Sequence, residues 1–279
     1  MTDQPVVSLR AVGKTFARGD QETTVALESI DLTISQGEFV SFIGPSGCGK
    51  STLLRVIGDL IHPTTGHVLV NGKPAGRARL DRDYGMVFQA PVLFEWRNVA
   101  GNVELPLEIL GRPGAERKAR AREMLELVDL GEFAGHNPSQ LSGGMQQRAA
   151  IARALAFEPA LLLMDEPFGA LDEMTRERMN SEVLRIWERT GTTIVFVTHS
   201  IPEAVFLSSR VVVMSARPGR IIKVIDIDLP RPRSEDTRES PRYFELVTEV
   251  RETLRRRDGD GTSGGVASAT RTMAEGVVG

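Results

Sequence analysis

The sequence predicts an α/β fold: a mostly parallel sheet, an antiparallel β subdomain ahead of it and a helical subdomain inserted into it. Three observations lead there. From Ala160 to Met214, apolar strand-like runs alternate with helical stretches, the pattern of parallel β–α–β units. Short strands separated by turn residues fill roughly the first ninety positions. Between about 91 and 158 the strands stop and helical periodicity takes over.

Taken in order, residues 6–10 read as a strand and residues 25–34 as a second, alternating at Ile30, Leu32 and Ile34, with Phe16 in a polar turn between them. Residues 39–43 form a short apolar strand, and residues 53–57 behind it have helical spacing. Residues 66–70 run into Asn71-Gly72, a tight-hairpin pair, and residues 84–88 form a strand ending at Gln89. Residues 99–110 and 115–130 are helical, the second carrying Ala121, Met124, Leu125 and Val128 on one face. A third helix starts near Ser142 and stops at Glu158, because Pro159 pushes the residue before it out of the helical region. The core resumes with the apolar strand 160–164, a helix over 173–189 with Met179, Val183, Ile186 and Trp187 inward, and a strand over 192–198. A short helix over 202–208, which Pro202 can open, and a strand over 211–214 follow. One domain is expected over 1–230, with its helical subdomain at about 91–158. The C-terminal part, 231–279, is expected to be a polar linker to residue 241, a helix over 243–254 with Phe244, Val247 and Val250 on one side, and a disordered tail from Asp258 rich in Gly, Ser, Thr and Ala.

With 279 residues, 41% hydrophobic and 25% charged, the composition is that of an ordinary globular protein with a large core. A formal net charge of −3 leaves no basic excess for nucleic acid, so none is expected as a partner. The one cysteine, Cys48, has no partner for an internal disulfide and suits a reducing compartment. The first residues carry no secretory signal pattern, and no apolar run approaches the ~20 residues of a membrane span.

The chemistry centres on Gly44-Pro45-Ser46-Gly47-Cys48-Gly49-Lys50-Ser51-Thr52, a G-x-x-x-x-G-K-[ST] match lying between a strand and a helix. The three glycines let the backbone curl so that successive N–H groups point inward, and the helix adds its positive end. In such a P-loop NTPase core Lys50 reaches the β- and γ-phosphates and the Ser51 hydroxyl holds Mg²⁺. Asp165 and Glu166 close an apolar strand, where burying a carboxylate demands a partner; Asp165 is assigned to the metal and Glu166 to water activation as general base. Leu141-Ser142-Gly143-Gly144-Met145-Gln146-Gln147-Arg148 is a second glycine-bearing turn at a helix start, which taken alone is only a cap, although its hydroxyl and N–H groups could also meet phosphate.

Together these residues resemble the ATP-binding cassette (ABC) ATPase family. The phosphate loop, Gln89, residues 141–148, residues 161–166, Gly169-Ala170-Leu171-Asp172 and His199 occur in the family's order, and the resemblance covers about 6–225. It implies ATP and Mg²⁺ as ligands and a homodimer packed head to tail, in which Ser142, Gly143 and Gly144 act on the partner's γ-phosphate. It implies that Gln89 touches Mg²⁺ and water and links the core to the helical subdomain. His199 then contacts the γ-phosphate, Asp172 lies at the dimer seam, and Phe16 stacks on adenine. Two positions depart from the pattern: Met145 stands where Gln is general, and Phe16 where Tyr is commoner.

A finer resemblance, carried by residues 93–99 with Asn102, residues 106–111, residues 165–172 and residues 215–221, is to the nitrate/sulfonate/taurine branch of bacterial importers. It implies an ATP-hydrolysing subunit on the cytoplasmic face of the membrane, paired with integral-membrane permease subunits and, through them, an extracytoplasmic solute-binding protein. Residues 91–96, apolar and aromatic, are read either as a groove for a permease helix or as packing between core and insertion. An exporter or lipoprotein-release ATPase is the nearest alternative. A DNA-repair ATPase would insert a long coiled coil where only about fifty residues separate Gln89 from Leu141.

Overall fold

The computed structural model describes residues 4–18 and 22–258; the tail expected to be disordered lies, from residue 259 on, outside the described residues. Among the described residues, ten strands form two sheets. The first holds β1 (Val7–Arg18), β2 (Glu22–Ile34), β4 (Thr65–Val70) and β5 (Lys73–Pro74), all antiparallel, in the order β2-β1-β4-β5. The second, in the order β10-β9-β3-β8-β7-β6, comprises β3 (Phe39–Ile43), β6 (Tyr84–Val87), β7 (Leu161–Asp165), β8 (Thr193–Val197), β9 (Arg210–Met214) and β10 (Ile221–Asp226). Its pairings are parallel except for β10, which runs antiparallel along the edge of β9.

The near-continuous apolar runs of β3, β7 and β8 follow from burial on both faces. The strand period of two sorts their side chains between two cores. Phe39, Ile43, Leu162, Met164, Ile194 and Phe196 meet one core, and Val40, Phe42, Leu161, Leu163, Val195 and Val197 the other. The one polar residue inside β3, Ser41, is fully buried and accepts a hydrogen bond from the Ser208 hydroxyl at 2.5 Å. On the second face lie α1 (Lys50–Ile57), α2 (Ala75–Asp81) and the antiparallel sheet. The first face is covered by α3 (Val99–Ile109), α4 (Gly114–Leu127), α5 (Gly143–Leu155), α6 (Glu173–Thr190), α7 (Ile201–Leu207) and α9 (Pro241–Asp258).

The sequence-based expectations differ from this structure in four places. Phe16 lies within β1, opposite Thr24, rather than in a turn. The helices α2 and α8 (Glu235–Glu239) and the strand β10 went unread: α2 buries only Ala75 and Ala78, and β10 is an edge strand with a mostly wet face, so neither leaves a strong period. Residues 231–241 pack onto the core rather than span a gap. Arg231 stacks over Trp187 at 4.1 Å, and Arg233, 8% exposed, donates to the carbonyls of Val205, Phe206 and Ser208 at 3.3, 2.7 and 2.8 Å at the end of α7. That negative helix terminus is what compensates a buried guanidinium, whose pKa burial pulls down to about 9. In α9 the inward face is Tyr243, Leu246, Val247 and Val250, and Phe244 is exposed, one position off the expected stripe.

Candidate functional site

The glycine-rich turn between β3 and α1 is locked by conformations that only glycine tolerates well. Gly47 and Gly49 have φ of +73° and +103°. A Cβ on Gly49 would also stand 2.8 Å from Leu27 Cδ2 and 2.9 Å from the Ala26 carbonyl. Gly49 is the N-cap of α1 and supplies no side-chain cap, so the first N–H groups of the helix face outward for a ligand. Lys50 is buried, its Nζ donating to the carbonyls of Gly44 at 2.8 Å and Pro45 at 3.2 Å. The Cys48 thiol is 1% exposed and packs in the core, so only its backbone can meet a phosphate; burial raises its pKa despite the opposing pull of Lys50.

This turn floors a cavity of about 470 Å³. Phe16 and Thr24 from the β1–β2 pair form one wall, Ser46 and residues 49–52 the floor, and Glu166 and Arg217 stand at its rim. The Phe16 ring is 40% exposed with the Lys14 ammonium 5.0 Å from its centre. At the far end of the floor the Ser51 hydroxyl donates to Asp165 Oδ1 at 2.6 Å, and Arg55 lies 3.9 Å from the other oxygen of that buried carboxylate. Two oxygen donors side by side below a phosphate turn suit a hard cation such as Mg²⁺, which takes few protein ligands and completes its shell with phosphate and water.

Glu166 follows Asp165 at φ +46°, its N–H bonded to the Val197 carbonyl at 3.0 Å. That sharp turn lifts its carboxylate off the strand end and into the cavity, 3.3 Å from His199 Nδ1. His199 is gripped on both sides. The Thr198 hydroxyl donates to Glu203 and accepts from the Ser200 N–H at 3.0 Å, and the Ser200 hydroxyl accepts from the Glu203 N–H at 3.4 Å. Glu203 is 5% exposed, and burial raises its pKa against the hydrogen bond from Thr198.

The remaining candidates stand apart from the cavity. Gln89 is exposed over the turn after Glu166: a Cβ on Gly169 would lie 3.1 Å from Gln89 Nε2. Asp172 caps α6, accepting from the Thr175 N–H at 3.0 Å, a bond that lowers its pKa. Ser142 caps α5, its hydroxyl accepting from the Met145 N–H at 3.3 Å. Ser142 and Gly143 are exposed, whereas Gly144 is buried beside Thr175 and Met179 of α6. Met145, the departure from the family pattern, packs half-buried against the core and so replaces no phosphate-facing group. The helix α5 is tied to the segment after Gln89: Gln147 donates to the Phe88 carbonyl at 2.9 Å, and Arg153 to those of Pro91 and Val92 at 2.9 and 2.7 Å.

Sequence reasoning missed Glu203, Thr24 and Arg217 as neighbours of the site. A buried acid four residues after His199 leaves no periodic signal, and residues 215–221 carried meaning only as a family likeness.

A model described as ABC transporter matches residues 27–169. The chain is 46% identical over 244 residues to the taurine import ATP-binding protein TauB of Rhizobium johnstonii, covering 86% of this chain and 92% of that protein. It is 44% identical over 250 residues to the nitrate import ATP-binding protein NrtD of a Synechocystis strain, covering 88% and 93%. Among solved structures it resembles an ATP-binding cassette in a dimeric post-hydrolysis state bound to ADP and Pi, with a TM-score of 0.68, 39% identity and coverage of 79% of this chain and 98% of that one.

Proposed function

This chain belongs to the ABC transporter family and is an ATPase, and from that premise we propose that it powers import of a small solute, such as taurine, a sulfonate or nitrate, through a separate permease. The observation that carries the catalytic part is the pairing across one cavity of Ser51–Asp165 with Glu166–His199.

Phe16 offers a face for the adenine ring. The N–H groups of residues 46–52 and the Lys50 ammonium hold the β- and γ-phosphates, Lys50 exchanging its carbonyl partners for phosphate oxygens. Ser51 and Asp165, joined by Gln89 once it moves in from the turn after Glu166, would hold Mg²⁺, which would offset charge on the β- and γ-phosphate oxygens. Glu166 takes the proton of a water whose oxygen attacks the γ-phosphorus, while the bond to the oxygen bridging to the β-phosphate breaks, giving ADP and inorganic phosphate. His199, held by its contact with Glu166, donates to the γ-phosphate.

Ser142, Gly143 and Gly144 serve the nucleotide of a second copy, and Asp172 lies at the seam between copies. The permease binds at the outer edge of the helical layer. There Trp96 is 78% exposed with its ring 4.7 Å from that of Phe94, and the segment beneath is clamped by buried Asn102, which bonds to Phe94, Arg97 and Asn98. An exposed Trp96 packed against a half-buried Phe94 on a rigid base suits a short partner helix. Among the described residues no helix is long and apolar enough to cross a membrane, which accords with work at the cytoplasmic face beside a separate membrane subunit.

Co-expression with a candidate permease and solute-binding protein, reconstitution in vesicles and measurement of ATP-dependent taurine, sulfonate and nitrate movement test the reading. Solute moving toward the compartment that holds this chain supports it; movement away identifies an exporter. Trp96→Ala should spare basal hydrolysis in the isolated protein and reduce coupled transport, and equal loss of both would remove Trp96 from the docking face.

A further inference from the structure

The turn between β9 and β10 closes on itself: the Ser215 N–H donates to the Arg220 carbonyl at 2.9 Å, and the Ser215 hydroxyl donates to the Pro218 carbonyl at 2.9 Å and accepts from the Arg220 N–H at 3.0 Å. It is fastened to β2, Gly219 donating to the Ala26 carbonyl at 2.9 Å and accepting from the Glu28 N–H at 3.0 Å. It also presses on the phosphate loop, for a Cβ on Gly219 would lie 2.1 Å from the Cys48 carbonyl. From this fixed base Arg217 reaches across Gly47. Its Nε donates to the Gly47 carbonyl at 2.7 Å, and one terminal nitrogen lies 3.0 Å from where a Gly47 Cβ would stand. Arg217 shares the cavity with Phe16 and Lys50, and among the described residues no carboxylate pairs with it. The neighbouring Arg220 is paired, with Glu28 at 2.7 Å.

We propose that Arg217 is a nucleotide-binding residue: tethered by Nε to the tip of the phosphate loop, it presents its free N–H groups to phosphate oxygens of the nucleotide bound in the same subunit. The assignment rests on the ATP reading of this cavity. A guanidinium whose inner nitrogen is already satisfied keeps a two-pronged donor edge, the geometry that suits phosphate, and its orientation is largely set before the ligand arrives. Such a contact forms with substrate and product alike, so it should act on affinity and leave the chemical step alone.

The test is titration of wild type, Arg217→Ala and Arg217→Lys with MgATP and MgADP by calorimetry, together with steady-state hydrolysis and thermal melting. Arg217→Ala should weaken both nucleotides about five- to tenfold and raise KM in step, with kcat within about twofold. Arg217→Lys, which keeps the charge but loses both the Nε tether and the two-pronged edge, should recover only part of the affinity. The salt dependence of binding should be shallower in Arg217→Ala than in wild type. Unchanged affinity in Arg217→Ala overturns the proposal. So does an Arg217→Lys protein as weak as the alanine variant with a lowered melting point, which would make the arginine a brace for the loop. A wild-type protein that binds neither nucleotide overturns the ATP reading, and the proposal with it.

Discussion

Two glycine-bearing turns in this molecule open helices, and they are built in opposite ways. The one before α1 is hemmed in from every side. Ala26 and Leu27 crowd Gly49, Met214 crowds Gly44, Gly219 wedges under Cys48, and Arg217 crosses Gly47. The one before α5 has its own hydroxyl spent on capping, leaves Ser142 and Gly143 open to solvent, and borders no wall of the cavity that holds Lys50. The first is a complete cradle made by a single chain. On the reading proposed above the second is one lip of a site completed by another copy, and this contrast is the physical basis for expecting two copies to work together.

The contrast is sharpest where chemistry is removed and assembly kept. Glu166→Gln should lower hydrolysis by about a hundred- to ten-thousandfold if Glu166 is the general base proposed above, while ATP binding persists. Size-exclusion with MgATP should then show a dimer; a monomer, or hydrolysis at the parental rate, would deny Glu166 its role. The comparison itself can be broken by mixing. Lys50→Ala damages the cradle and Ser142→Arg the lip, so each protein alone should be inactive. A one-to-one mixture should regain roughly a quarter of the wild-type rate as copies exchange, because each mixed dimer holds one intact pair. No recovery would mean that both turns serve nucleotide within one chain.

Smaller effects probe how tightly the cradle is wedged. Gly219→Ala should cost about 1–3 kcal/mol of stability, read by thermal melting, together with nucleotide affinity, because the methyl group has no room beside the Cys48 carbonyl. Phe16→Ala should raise the ATP KM several-fold, about 1 kcal/mol of lost stacking, whereas Phe16→Tyr should be close to neutral. The least effect is expected at Cys48. With its thiol buried, folded protein should react with a thiol reagent far more slowly than unfolded protein. Its raised pKa favours the protonated thiol in the fold. That contribution to stability is whole below the ordinary thiol range and is lost as pH climbs through the raised value.

Legibility in the sequence followed the strength of local signals. The strands β3, β7 and β8 were readable because double-sided burial forces unbroken apolar runs, and the phosphate turn because its glycines are dictated by φ angles that few other residues accept. The sequence suggests a turn at Phe16 because β1 continues beyond its apolar half into a polar, exposed stretch held by pairing with β2. Arg217, Gly219 and Glu203 act through neighbours that lie far off in the chain or out of sight of any repeat. The meaning of Arg217 and Gly219 depends on the register of β9 against β3, which only tertiary structure reveals, and that of Glu203 on its burial against Thr198 and Ser200. The slip at Phe244 has a simpler origin: a stripe read one residue late still satisfies Val247 and Val250.

Arg233 carries a consequence for anyone who would shorten this polypeptide. An ATPase fragment cut at residue 230 would look whole on paper, yet it would strip the guanidinium from three main-chain oxygens at the close of α7 and uncover Trp187. The opening of that same short helix is anchored by Ser200 and Glu203, right beside His199. Trimming the far end should therefore be felt as a slackened histidine and slower turnover, with no nucleotide contact touched.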